Sequence, residues 1–228
     1  MCKIFLFDLD WTLIYTGGAG VRALNHAFER FFGIAGGMKG VSPDGKTDPA
    51  IVREMIRVHL NRDPGKDEID TVCRYYVERL EYEVNTGAGY IVMSGIPELL
   101  ETLSKRSDVV MGLGTGNLRE GAVIKLSRPN LMKYFRFGGY SSDSEDRPTL
   151  LKTAADRGRA LIGSPVEKKD VFVIGDNKRD VLSGKAIGAT TVAVASGNMG
   201  LEELRKTEPD FLFKDFSDTN NVIRTLLG

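Results

Sequence analysis

Two aspartates, Asp8 and Asp10, end the apolar run Ile4-Phe5-Leu6-Phe7 with a single residue between them. On an extended backbone both carboxylates face one side and Leu9 turns away. Carboxylates that close share a proton or hold a cation. Alone, the pattern also reads as a strand running into an acidic turn. Two more apolar runs end in polar clusters: Val109 to Leu113 leads into Gly114-Thr115-Gly116-Asn117, and Val171 to Ile174 into Gly175-Asp176-Asn177-Lys178-Arg179-Asp180. The first cluster reads by itself as a turn and the second as a capped helix start. Brought to one sheet edge, Asp8, Asp10, Asp176 and Asp180 would repel one another, and a divalent cation is the simplest remedy. All-oxygen ligands with room for water and a phosphate suit Mg²⁺, and Arg147 could supply the positive charge a phosphate needs.

Such convergence requires a parallel sheet, because in open α/β sheets the ligand crevice lies beyond the carboxyl ends of the strands. The continuous apolar runs suit strands buried on both faces. Helical spacing at 96–105, 118–126 and 149–162, near Leu131 and through Ala186 alternates with strands at 109–113, 135–140, 171–174, 190–194 and 211–213. Between Gly17 and Gly89 the sequence predicts helices alone. Val21, Leu24, Phe28, Phe31 and Phe32 mark the first, Asp48-Pro49 opens the second, and Asp63-Pro64 opens the third. The stripe Ile69, Val72, Cys73, Tyr76, Val77, Leu80 and Val84 marks that third helix. The fold class is therefore an α/β, Rossmann-like parallel core (1–16 and 90–228) with an inserted all-helical cap (17–89). Glycines at Thr16-Gly17-Gly18-Ala19-Gly20 and Thr86-Gly87-Ala88-Gly89 predict the two hinges.

Composition narrows the function. Of 228 residues, 31 are Lys or Arg and 31 are Asp or Glu, without a dense basic cluster, which argues against nucleic acid or an anionic membrane as partner. No apolar run reaches membrane-spanning length. Two cysteines, Cys2 and Cys73, fit no metal or redox spacing and suit a reducing compartment, so a cytoplasmic protein is expected. The expected partner is a small phosphorylated metabolite, bound by a monomer or homodimer.

The ordered set Asp8-Leu9-Asp10-Trp11-Thr12, Thr115 and Gly175-Asp176 through Asp180 resembles the motifs of the haloacid dehalogenase superfamily, and within it phosphatases with a small helical cap. The likeness covers essentially the whole chain. It implies a phosphatase in which Asp8 attacks phosphorus and Asp10 first protonates the leaving oxygen, then activates water. It further implies that Thr115 binds a phosphoryl oxygen, and that Asp8, the Leu9 carbonyl, Asp176 and Asp180, with Asp10 beside them, surround Mg²⁺. Gly116, Asn117 and Trp11 would then line the substrate pocket. Gly45-Lys46-Thr47-Asp48 resembles the specificity loop of phosphoglycolate phosphatase-like members, where Lys46 would meet a substrate carboxylate. Two residues depart from the pattern. Trp11 stands where relatives have glycine, and Arg147 stands where they have lysine, with Lys152 as a second candidate. A phosphomutase of the β-phosphoglucomutase type is an alternative, although this chain has Gly20 where those relatives carry a cap histidine. A dehalogenase would lack Asp10, and a catalytically silent binding protein would keep only the fold.

Overall fold

The computed structural model describes residues 2–228. In chain order the strands are β1 (Lys3–Phe7), β2 (Ile14–Thr16), β3 (Tyr90–Val92), β4 (Val109–Gly114), β5 (Phe137–Gly139), β6 (Val171–Gly175), β7 (Thr190–Val194) and β8 (Phe211–Phe213). The helices are α1 (Ala19–Phe32), α2 (Asp48–Leu60), α3 (Lys66–Thr86), α4 (Ile96–Ser104), α5 (Arg119–Ser127), α6 (Arg147–Ile162), α7 (Lys178–Ala186), α8 (Leu201–Arg205) and α9 (Thr219–Leu227).

After Lys3, strand β1 is apolar because it is buried from both sides. Phe5 and Phe7 pack with Leu99, Leu103 and Val222 of α4 and α9, while Ile4 and Leu6 pack with Leu150, Leu151 and Ala154 of α6. It sits within a six-stranded parallel sheet of order β5-β4-β1-β6-β7-β8. Phe5 pairs with Met111 on one side and with Phe172 on the other. The chain thus builds outward in opposite directions from β1, which opens a crevice at its carboxyl end. The Asp8 N–H extends the ladder by one step, donating to the Ile174 carbonyl at 2.8 Å.

Helices α1 to α3 hold a core of their own. Ala19, Ala23 and Ala27 give α1 a small-residue face that lets it lie close along α3, and Phe28, Met55, Tyr76 and Leu80 fill the space between. Val21 and Phe31, predicted on the apolar stripe of α1, are instead exposed. Helix α3 starts at Lys66, after Gly65 as N-cap, rather than at Asp63-Pro64. Helix α6 starts at Arg147, two residues before the predicted start, since Asp146 caps it by accepting the Thr149 N–H at 3.0 Å. Helices α8 and α9 complete the chain and were not predicted. Nor were β2 and β3, which pair antiparallel where the chain enters and leaves the helical segment, Thr16 opposite Tyr90. Three residues are too few to show a strand period. Among the described residues no helix is long and apolar enough to cross a membrane.

Candidate active site

The crevice beyond β1 brings together the polar ends of three strands. Asp8 follows β1, Thr115 follows β4 and Asp176 follows β6, and all three are buried. Oxygens of Asp8, Asp176 and Asp180 all lie within 4.8 Å of one another. Burial, with Asp180 and Asp8 adding repulsion, pushes the Asp176 carboxyl up to about 9. Burial also holds Asp8 above the usual carboxylate range, against the opposing pull of Arg147. Thr12 donates to Asp176 at 3.3 Å. With all three ionised, the carboxylates beside one guanidinium would leave two negative charges uncompensated, and all the donors are hard oxygens. This donor set fits a divalent cation of the Mg²⁺ type.

Arg147, on the first turn of α6, points into this group. Its Nη2 lies 3.1 Å from Asp8 and also contacts Asp180, while its Nε–H is buried without an acceptor. Lys152, one turn further along, is exposed and pairs with Asp156 at 2.8 Å. Asp180 belongs to the capping box that opens α7, where Oδ2 accepts the Asn177 N–H at 3.1 Å. A Cβ on Gly175 would lie 2.2 Å from the Asp180 carboxyl, so only glycine lets the strand end come this close.

Two placements differ from expectation. Asp10 stands apart from the three clustered carboxylates. Lys125 donates to both its oxygens, at 2.9 and 2.6 Å, and Asn117 Nδ2 donates to Oδ2 at 2.9 Å. The Leu9 carbonyl accepts the N–H groups of Leu13 and Ile14, at 2.9 and 3.2 Å, so both its lone pairs serve the turn and it is not available to a metal. Lys125 was not foreseen. It is buried on the inner face of α5 with Gly121, Ala122 and Leu126, and a lysine at core spacing was the signal in the sequence.

The remaining predicted residues line the same cleft. Thr115 Oγ1 accepts from the Asn117 N–H at 3.3 Å and from its Nδ2 at 2.9 Å, which leaves the hydroxyl hydrogen free to donate. Gly116 meets α2 directly: its carbonyl accepts the Asp48 N–H at 2.9 Å, and the Leu118 N–H donates to Asp48 Oδ2 at 2.8 Å. Burial raises the Asp48 carboxyl to about 6. Lys46 is engaged by Glu54. Trp11 has φ +62°, in the left-handed region, where a residue other than glycine costs roughly 1–2 kcal/mol. The turn holds it there: its N–H donates to Ile14 at 2.7 Å, and Ser196 Oγ donates to its carbonyl at 2.6 Å. Its ring stacks on Tyr15, with centroids 4.0 Å apart and planes at 17°. His26 is exposed, and His59 pairs with the Gly37 carbonyl at 2.9 Å, outside the cleft.

Comparison with known proteins places the chain in a family. Pyrophosphatase PpaX of Halalkalibacterium halodurans is 24% identical over 230 residues, covering 96% of this chain and 95% of that protein. The putative pyrophosphatase PpaX of Caldanaerobacter subterraneus subsp. tengcongensis is 26% identical, covering 96% and 93%. A hydrolase from Pseudomonas syringae superposes with a TM-score of 0.72 at 22% identity, covering both chains in full. CbbY from Rhodobacter sphaeroides in complex with phosphate superposes at 0.73 and 17% identity, covering 96% of each. The family model for haloacid dehalogenase-like hydrolases matches residues 5–194. Matched from β1 through β7, the chain therefore belongs to the haloacid dehalogenase-like hydrolase family, and it is a hydrolase.

Proposed function

We propose that the protein is a cytoplasmic, Mg²⁺-dependent phosphatase that cleaves a small phosphate monoester through an aspartyl-phosphate on Asp8. The observation that carries this reading is Asp8 itself, buried at the end of β1 and grouped with two further carboxylates and Arg147 at the floor of one cleft. Asp8, Asp176 and Asp180 would hold the cation, which neutralises the approach of carboxylate to phosphate. In the first step an Asp8 oxygen bonds to phosphorus, the ester P–O bond breaks, and Asp10 passes a proton to the leaving oxygen. In the second, Asp10 takes a proton from water, the water oxygen attacks phosphorus, and Asp8 is released with inorganic phosphate. Lys125 and Asn117 hold the Asp10 carboxylate in place through both steps. The Thr115 hydroxyl and the unpartnered Arg147 Nε–H are suited to phosphoryl oxygens.

Helices α1 to α3 would act as a cap that excludes bulk water, which favours small esters over proteins. Hydrolysis is favoured over phosphoryl transfer within a sugar, because neither histidine lines the cleft and Gly20 stands 3.7 Å from Lys125 Nζ, measured from where its Cβ would be. The test is phosphate release from p-nitrophenyl phosphate with and without Mg²⁺. Turnover should stop in chelator and in Asp8→Asn, whose amide cannot attack phosphorus. Survival of a tenth of the rate in Asp8→Asn would remove Asp8 from this role.

A further inference from the structure

The floor of the cleft is built for one phosphate, but its walls offer nothing to a second anion. Every cation lining it already has a carboxylate partner: Lys46 has Glu54, Lys125 has Asp10, and Arg147 has Asp8 and Asp180. Asp44 and Asp48 add negative charge on the cap side, where the lining cation is Lys46, already held by Glu54. A substrate carboxylate or second phosphate entering there would be desolvated among like charges.

The rest of the wall mixes polar side chains, Thr16, Asn117 and Asn177, with an apolar and aromatic group. Val21 and Leu24 of α1, Ile51 of α2 and Tyr76 of α3 line the same cleft as the stacked pair Trp11 and Tyr15. Both members of that pair keep part of their surface exposed. Trp11 holds its place despite a left-handed backbone that glycine would occupy without strain, and such strain concentrates at ligand sites. Aromatic rings stack most favourably on other flat rings.

We infer that the substrate is a phosphate monoester whose leaving group is uncharged and carries a flat apolar ring, seated against Trp11 and Tyr15 beneath the apolar side of α1 to α3. The inference rests on the phosphatase reading for its phosphate end. For its other end it sets aside pyrophosphate, the substrate in the names of the relatives, and 2-phosphoglycolate.

Binding and turnover test the two separately. Benzylphosphonate, phosphonoacetate and methylenediphosphonate are non-hydrolysable, and their affinities can be measured by calorimetry in excess Mg²⁺. Benzylphosphonate should bind at least tenfold more tightly than either of the other two. Equal or tighter binding of phosphonoacetate or methylenediphosphonate would overturn the inference. Trp11 is the only tryptophan in the chain, so its fluorescence reports on the platform directly. Benzylphosphonate should quench it, and binding without any change in emission would remove Trp11 from the site. In Trp11→Gly the preference for the benzyl compound should shrink severalfold, and in Trp11→Phe it should largely persist. An unchanged preference in Trp11→Gly would also overturn the assignment. Turnover then separates the readings. Hydrolysis of 2-phosphoglycolate or pyrophosphate faster than benzyl phosphate sinks the inference and leaves the phosphatase standing. Tight benzylphosphonate binding without phosphate release from any ester does the opposite.

Discussion

Arg147 and Lys125 divide the positive charge of the site between the two carboxylates proposed to do the chemistry, Asp8 and Asp10. Truncating Arg147 leaves Asp8 and Asp180 facing the incoming phosphate without a cation. Losing one such charge-assisted contact typically costs about 2–4 kcal/mol of transition-state stabilisation, or roughly 30- to 1,000-fold in rate. Arg147→Ala should therefore lower kcat/KM by that factor, Arg147→Lys should recover part of it, and Lys152→Ala should behave as wild type. A crippled Lys152→Ala would move the role one helical turn along α6. Lys125→Met should lower kcat at least tenfold with little change in KM, because general acid–base catalysis supplies about 10²–10⁴-fold and depends on where Asp10 points. A Lys125→Met enzyme with full kcat would make the Asp10 contact merely structural. The acidic residues of the site were legible in the sequence because each closes an apolar run. Lys125 was not, since its partner lies 115 residues away and only the packing of α5 turns it inward.

At the scale of elements, α2 is fastened to the turn after β4 by two hydrogen bonds, one between backbones, Asp48 N–H to Gly116 O, and one from the Leu118 N–H to the Asp48 carboxylate. The approach is close enough that a Cβ on Gly116 would lie 2.4 Å from the Lys46 carbonyl oxygen, a backbone atom that cannot swing aside. Gly116→Ala should hold the helical segment off the core and lower kcat/KM roughly 10- to 100-fold, while circular dichroism shows the secondary structure intact. Wild-type kinetics in that variant would mean the segment need not close. The parallel strands and the helices between them were readable from continuous apolar runs and helical spacing. The β2–β3 ribbon and the turn at Trp11 were not, because each is set by partners distant in sequence: Ile14 with Val92, and Trp11 O with Ser196.

For the whole molecule, Asp48 makes stability depend on pH. Its carboxyl lies near 3.8 when unfolded and about 6 when folded, so the folded state holds the proton more tightly. The stabilisation is complete below about pH 4 and is lost as pH rises through about 6. Asp48→Asn keeps an oxygen for the Leu118 N–H and avoids the buried charge. Its Tm should match wild type near pH 4 and exceed it by several degrees above about pH 7. An Asn variant that matches wild type near pH 4 but is less stable above about pH 7 would mean that the charge itself is needed, through Lys125. The ribbon carries a further consequence. Because Thr16 pairs with Tyr90, the segment between them begins and ends at neighbouring points, and Gly17 and Gly89 both turn there with positive φ. Inserting or removing a folded piece at such a junction adds almost no loop-closure cost to the sheet. The three helices are in that sense an exchangeable cassette: a different helical segment spliced across the same three residue pairs of the ribbon would give the same reaction centre a new substrate range.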